Sequence, residues 1–125
     1  MIKKPLANVE IRENGLIKLD LNQLPIPKAF IYQFVISFPP GIIGGNHKHQ
    51  HEEIFFSTDE NLEVHWINLN GEKEKAKFRE GNSLFLFYIP TGVPHAVINT
   101  SSNSFAVLVE FANAERTGVE RVVII

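Results

Sequence analysis

Gly44-Gly45-Asn46-His47-Lys48-His49-Gln50-His51-Glu52-Glu53 is the stretch on which the reading of this chain turns. Three of its residues are imidazoles spaced two apart, and two carboxylates follow. In an extended strand side chains alternate between faces, so His47 and His49 project to the same side and can meet at one point. Such a pair can ligate a metal or shuttle a proton. A straight strand rises about 3.3 Å per residue, which would leave Glu53 ~13 Å from His49, too far to share an ion with it. The chain is therefore expected to bend over Gln50-His51-Glu52. That bend swings the Glu53 carboxylate back toward the pair and turns Glu52 away.

Outward from this stretch the pattern is β-rich. From Ala29 to Phe38, Phe30, Tyr32, Phe34, Ile36 and Phe38 alternate with Ile31, Gln33, Val35 and Ser37, a period of two that favours a strand. Leu62, Val64 and Trp66 alternate with Glu63 and His65. Asn70-Gly71 then reads as a type I′ hairpin turn, returning through the charged arm Glu72–Arg79 as an exposed edge strand. Ser83–Ile89 and Ser104–Phe111 are apolar on both alternating faces. A barrel interior accounts for one face; the other needs a second sheet, another subunit, or N-terminal strands bearing Val9, Ile11, Leu16, Ile17, Leu19 and Leu21. A homodimer is expected on this ground. A helical turn is allowed only around Asn113–Arg116, before a last β-prone run over 119–125. The whole is an all-β chain of one domain, 1–125, with N-terminal strands over 8–21, a core barrel over about 29–112 and a C-terminal strand over 119–125.

Composition narrows the function. The 125 residues are 44% hydrophobic and 21% charged, ordinary for a globular domain. Twelve basic against fourteen acidic residues give a net charge of −2 with no basic stripe, which argues against nucleic acid. There is no cysteine, so disulfides and thiolate metal sites are excluded. No apolar run reaches bilayer-spanning length, and the chain reads as soluble, cytoplasmic and without a membrane partner.

A second stretch, Pro90-Thr91-Gly92-Val93-Pro94-His95, places a lone histidine directly after a turn stiffened by two prolines and a glycine. Three neutral imidazoles and one carboxylate, from His47, His49, His95 and Glu53, make a mixed N/O set that suits Mn, Fe, Co, Ni or Zn and leaves positions open for water or substrate. The bland alternatives are a solvated histidine loop, a hydrogen-bonded structural His95, and turn or strand roles for Asn99 and His65.

His47-x-His49-x-x-x-Glu53, preceded by Gly44 and Gly45, resembles the first motif of the cupin superfamily, and Pro90-x-Gly92-x-x-His95-x-x-x-Asn99 is similar to its second. The resemblance implies a double-stranded β-helix, or jelly-roll, barrel and assigns His47, His49, Glu53 and His95 as metal ligands. The spacing departs at one place: eight residues separate Gly81 from Pro90 instead of five, which lengthens or bulges Ser83–Ile89. More loosely, Gly15-Leu16-Ile17, Pro39-Pro40-Gly41 and Glu110-Phe111-Ala112-Asn113 look like the branch of sugar-nucleotide keto-isomerases and epimerases. The arginines typical of diphosphate-gripping members are missing before His47.

The resemblance implies a small polar, carbohydrate-derived substrate and an isomerase or epimerase reaction. With the histidines committed to a metal, proton transfer falls to Tyr32, Tyr88, His51 or a water. The alternatives are a metal-dependent dioxygenase of a small acid or phenol and a ligand-binding module without catalysis.

Overall fold

In a computed structural model that describes residues 1–116 and 118–125, two antiparallel sheets face each other. The strands are β1 (Ile2–Pro5), β2 (Glu10–Ile11), β3 (Ile17–Lys18), β4 (Tyr32–Phe38), β5 (Ile43–Lys48), β6 (Glu53–Phe56), β7 (Leu62–Ile67), β8 (Lys73–Lys77), β9 (Arg79–Glu80), β10 (Ser83–Ile89), β11 (His95–Asn99), β12 (Ala106–Ala112) and β13 (Glu120–Arg121). One sheet runs β1-β10-β6-β12-β4, with β9 added to β10; the other runs β13-β5-β11-β7-β8; β2 and β3 form a small separate ribbon. Strands distant in sequence lie side by side and all pairings are antiparallel, which is the jelly-roll arrangement. Among the described residues no helix is long and apolar enough to cross a membrane.

The two faces of the first sheet explain why β10 and β12 are apolar throughout. Inside the barrel, Phe38, Phe55, Phe87, Ile89 and Leu108 meet Leu62, Val64, Trp66 and Val97 of the opposite sheet. Outside it, Ile54, Phe56, Leu86 and Phe111 are covered by Leu24 and Phe30, with Leu6, Leu19 and Ile26 packed alongside. The cover is thus the N-terminal segment, although only Leu19 comes from the six residues nominated for it; Leu16 and Leu21 remain exposed. β1, whose Lys-Lys-Pro sequence gives no strand signal, is held by register, Ile2 opposite Tyr88 through Pro5 opposite Phe85.

Two local expectations are corrected. The hairpin after β7 is not type I′, because only Gly71 has positive φ (79°). Gly71 N–H donates to the Asn68 carbonyl (3.0 Å) and Asn68 N–H to Glu72 (2.9 Å), giving a three-residue loop closed by a glycine bulge. Asn68 Oδ1 reinforces it by accepting from the backbone of Asn70 and Glu72. The helical turn lies at Leu21–Gln23, capped by Asp20, whose side chain accepts from Asn22 N–H; residues 113–116 form bends. The charged arm is an edge strand as expected, yet Phe78 within it is fully buried against Phe87.

Asn99 secures the end of the barrel away from the histidines. Its buried Nδ2 faces the carbonyls of Phe38 (2.9 Å), Pro39 (3.2 Å) and Ser104 (2.8 Å), and its Oδ1 accepts from Ser101 N–H. Removing it strands several buried carbonyls, so Asn99→Ala is expected to cost about 2–4 kcal/mol in urea unfolding with an unchanged m-value.

Candidate metal centre

The local backbone around His47 is built to bring two strands unusually close. β11 pairs with β5 by His95 opposite His47 and Ala96 opposite Gly45, so Asn46 is an extra residue with no partner, a β-bulge. Asn46 takes the left-handed conformation (φ 57°), which asparagine tolerates better than most residues. Gly45 (φ +92°) lies where a Cβ would sit 3.1 Å from the His95 carbonyl oxygen and from the Ala96 Cα. The bulge re-aims His47 at His95, and their ring centroids are 4.9 Å apart. Asn46 is fixed in turn by its side-chain oxygen, which accepts from the backbone of Ile124 (2.8 Å) and Ile125 (3.2 Å).

The bend between His49 and Glu53 is present, since β5 ends at Lys48 and β6 begins at Glu53. It is pinned to the Pro90–Gly92 turn: Gly92 N–H donates to the His49 carbonyl (2.9 Å) and the Thr91 hydroxyl to that of Gln50 (2.8 Å). The turn that positions His95 therefore positions His49 as well. Glu52 points away and pairs with Asn113.

His47, His49, Glu53 and His95 each offer an atom within 4.8 Å of the other three. The His49 ring lies 5.2 Å from His47 and 4.8 Å from His95 between centroids. Hydrogen bonding decides how these rings are presented. His49 Nδ1–H donates to the His51 carbonyl and His95 Nδ1–H to the Val93 carbonyl, each at 2.8 Å. With Nδ1 carrying a proton, both rings turn Nε2 toward Glu53 Oε1, with His49 in contact and His95 at 3.3 Å. An unprotonated Nε2 and a carboxylate are both acceptors, so a proton or a metal cation has to lie between them. His95 Nε2 is buried without a hydrogen-bond partner. Carbonyl-oriented imidazoles with an orphaned Nε2 are what a metal ligand set requires, and the donors fit a divalent transition ion.

Burial, with the neighbouring His95 and His49, lowers the His47 pKa to about 4, which keeps that ring neutral and able to ligate at pH 7. When a proton instead of a metal ion lies between these atoms, hydrogen bonds and charge from His49 and His95 outweigh the raising effect of burial and hold the Glu53 carboxyl below the ordinary carboxylate range. His51 stacks on His49 at 3.8 Å, has Nε2 3.3 Å from Glu53 Oε2, and is lowered first by burial and then by His49.

The cluster forms the floor of a cavity of about 470 Å³, walled by Phe34, Ile36, Phe38, Phe55 and Val97. His51, Glu110 and Arg116 also line it. The two tyrosines nominated for proton transfer do not. Tyr88 points to the outer face of its sheet, packing beside Phe30, and its hydroxyl, raised by burial and then by Glu52, is directed away from the cavity. This corrects its candidacy: in β10 the inward positions are Phe87 and Ile89, one residue to either side. Tyr32 starts β4 ahead of the lining positions Phe34, Ile36 and Phe38. Glu110 and Arg116 were missed, Glu110 because it sits in an otherwise apolar strand and Arg116 because it lies in a bend; only the period-two count inward from Phe38 opposite Ala106 could have flagged Glu110.

The cupin-domain family model matches residues 34–111, a span holding all four clustered residues. This chain is a cupin. No curated protein sequence matches it significantly. Among solved structures, this cupin is similar to a 3,4-ketoisomerase from Helicobacter canadensis (TM-score 0.67, 21% identity, 97% of this chain and 91% of that one). It is also similar to the QdtA 3,4-ketoisomerase from Thermoanaerobacterium thermosaccharolyticum, solved as a double mutant with TDP (TM-score 0.67, 14% identity, 95% and 86%). The capsular polysaccharide assembling protein CapF from Staphylococcus aureus matches 74% of this chain at TM-score 0.63 and 21% identity, and the cupin spans only 27% of its length. An oxalate oxidase matches at TM-score 0.59 and 23% identity, with 72% of this chain and 45% of that one covered. At these identities the likeness is one of fold.

Two outcomes follow for the metal-free protein. His47 is neutral when folded and titrates near 6.5 when unfolded, so protonation favours the unfolded chain; the melting temperature is expected to fall as pH drops from 6.5 toward 4, and His47→Gln to flatten that slope, read by calorimetry. Gly45→Val, which forces a Cβ against the His95 carbonyl at a positive φ, is expected to cost about 1–3 kcal/mol and to weaken zinc binding, measured by unfolding and titration of the same samples.

Proposed function

We propose that this cupin is a metal-dependent enzyme that moves a proton on a small oxygen-bearing molecule, in the manner of a keto-sugar isomerase or epimerase. His47, His49, Glu53 and His95 hold one divalent ion, Mn, Fe, Co, Ni or Zn. The observation that carries the reading is the pair of carbonyl-oriented rings, His49 and His95, whose Nε2 atoms meet one carboxylate oxygen. When bound, such an ion supplies Lewis-acid polarisation of a substrate oxygen. Glu53 offsets part of its charge. His51 donates from Nε2 to Glu53 and so leaves its Nδ1, which has no other partner, as the acceptor for a substrate proton. The apolar walls hold the substrate. Similarity to two 3,4-ketoisomerases over nearly the full length of both chains supports the keto-sugar class.

A second reading, a metal-dependent dioxygenase of a small acid or phenol, is favoured by the three phenylalanines Phe34, Phe38 and Phe55 in the wall. The two are separated by incubating metal-loaded protein with keto-sugars in deuterated water and, separately, with phenolic acids in an oxygen cell. Deuterium entering the carbon next to the ketone is the expected result, slowed about 100-fold or more in His51→Gln with metal content unchanged. Oxygen uptake without exchange would replace this reading by the second; tight ligand binding without either would make the protein a binding module.

The cupin is also proposed to work as a homodimer in the cytoplasm, paired through the outer face of β4 and β12. There Val35 (74% exposed) and Val107 stand uncovered beside Phe105 (65%), beyond the reach of the N-terminal cover. Sedimentation velocity is expected to give a dimer that Val35→Glu converts to a monomer; a monomeric wild type would contradict it.

A further inference from the structure

The cavity is chemically lopsided in a way that the proton-transfer reading does not use. Its floor is the His/Glu cluster, its walls are mostly phenylalanine and aliphatic side chains with His51 and Glu110 among them, and Arg116 is the single lysine or arginine of its lining residues. Arg116 follows β12 with Ala114, which also lines the cavity. The residues flanking it are tied to the loop that carries His49 and His51. Asn113 N–H donates to the Glu52 carbonyl (3.2 Å), Glu52 N–H donates to Asn113 Oδ1 (2.9 Å), and Asn113 Nδ2 donates to the Glu52 carboxylate (3.3 Å). On the other side Gly118 lies so close to Gln50 that a Cβ there would come within 2.8 Å of its Cγ. Arg116, an exposed residue, is thereby kept at the cavity that the cluster floors.

We infer that Arg116 is a specificity residue that binds the carboxylate of a small, flat or apolar acid whose oxygen-bearing head lies at the His47/His49/Glu53/His95 floor. A guanidinium offers a planar fork matching a carboxylate, whereas one such group is a poor grip for a nucleotide diphosphate, which carries more charge than it can offset. The phenylalanine and aliphatic walls between floor and fork offer surface for an aromatic or aliphatic body. The inference rests on the reading that the four-residue floor holds a divalent ion; it holds whether that ion serves proton transfer or oxygen chemistry.

The test uses the full chain loaded with zinc, which is not redox-active, and calorimetric titration with catechol, 3,4-dihydroxybenzoate and 3-(3,4-dihydroxyphenyl)propanoate, together with the amides of the two acids. Catechol engages the floor alone, and the acids add a carboxylate at two lengths. For at least one length the acid is expected to bind about tenfold or more tightly than its amide, as a charge-assisted pair predicts. Arg116→Gln should reduce that ratio below about twofold while leaving catechol affinity and the melting temperature unchanged, and Arg116→Lys should keep part of it. An acid preference that survives in Arg116→Gln, or acid and amide binding equally with catechol binding intact, would overturn the assignment of Arg116 alone. Catechol binding no better to wild type than to His49→Ala would overturn the metal-ion reading of the floor, and this inference with it.

Discussion

Two imidazole rings are turned toward one carboxylate oxygen because each has its other nitrogen committed to a backbone carbonyl: His49 to His51, and His95 to Val93. Those bonds fix the tautomer, and the tautomer leaves lone pairs facing an anion inside a barrel. Buried acceptors gathered without a cation are costly, since each keeps its desolvation penalty without a partner. The rest of the molecule serves to hold this convergence in place. The Asn46 bulge and Gly45 let β5 and β11 approach, the Pro90–Gly92 turn clamps the His49 loop, and the bend before β6 returns Glu53 to the same point.

The barrel around the site divides its apolar surface between two uses. Its interior is packed with Leu62, Val64, Trp66, Phe78 and Phe87 and opens at the cavity, where Phe38 and Phe55 stand as walls. Its outer face is covered by the N-terminal segment through Leu24 and Phe30. A single sheet therefore contributes a core, a ligand wall and a docking face for its own chain, which is why β10 and β12 show no polar side.

Much of the site was legible in the sequence because it depends on short-range geometry. The period of two places His47 beside His49, and bond-length arithmetic demands the bend that brings Glu53 back; both need only a local pattern. His95 was legible because prolines and glycine announce the turn before it. What could not be read depends on tertiary register. β1 is a strand only because β10 offers it an edge, since Ile2–Pro5 carries no alternation of its own. Asn70-Gly71 has the composition of a type I′ turn, but Asn68 captures the loop through its side chain and leaves positive φ to Gly71 alone. Tyr88 was misjudged by one strand position, which in a β-strand exchanges inside for outside. Arg116 reaches the cavity through ties between Asn113 and Glu52 that span 61 residues, a distance no local pattern encodes.

The central claim is that the four side chains form one ion site, and its most direct measurement is titration of metal-free protein, made without a polyhistidine tag, with Mn²⁺, Co²⁺ and Zn²⁺, read by calorimetry and elemental analysis. The account predicts one ion per chain for wild type and loss of that ion in both His49→Ala and Glu53→Gln. A wild type that takes up no ion, or variants that bind as wild type does, would contradict it.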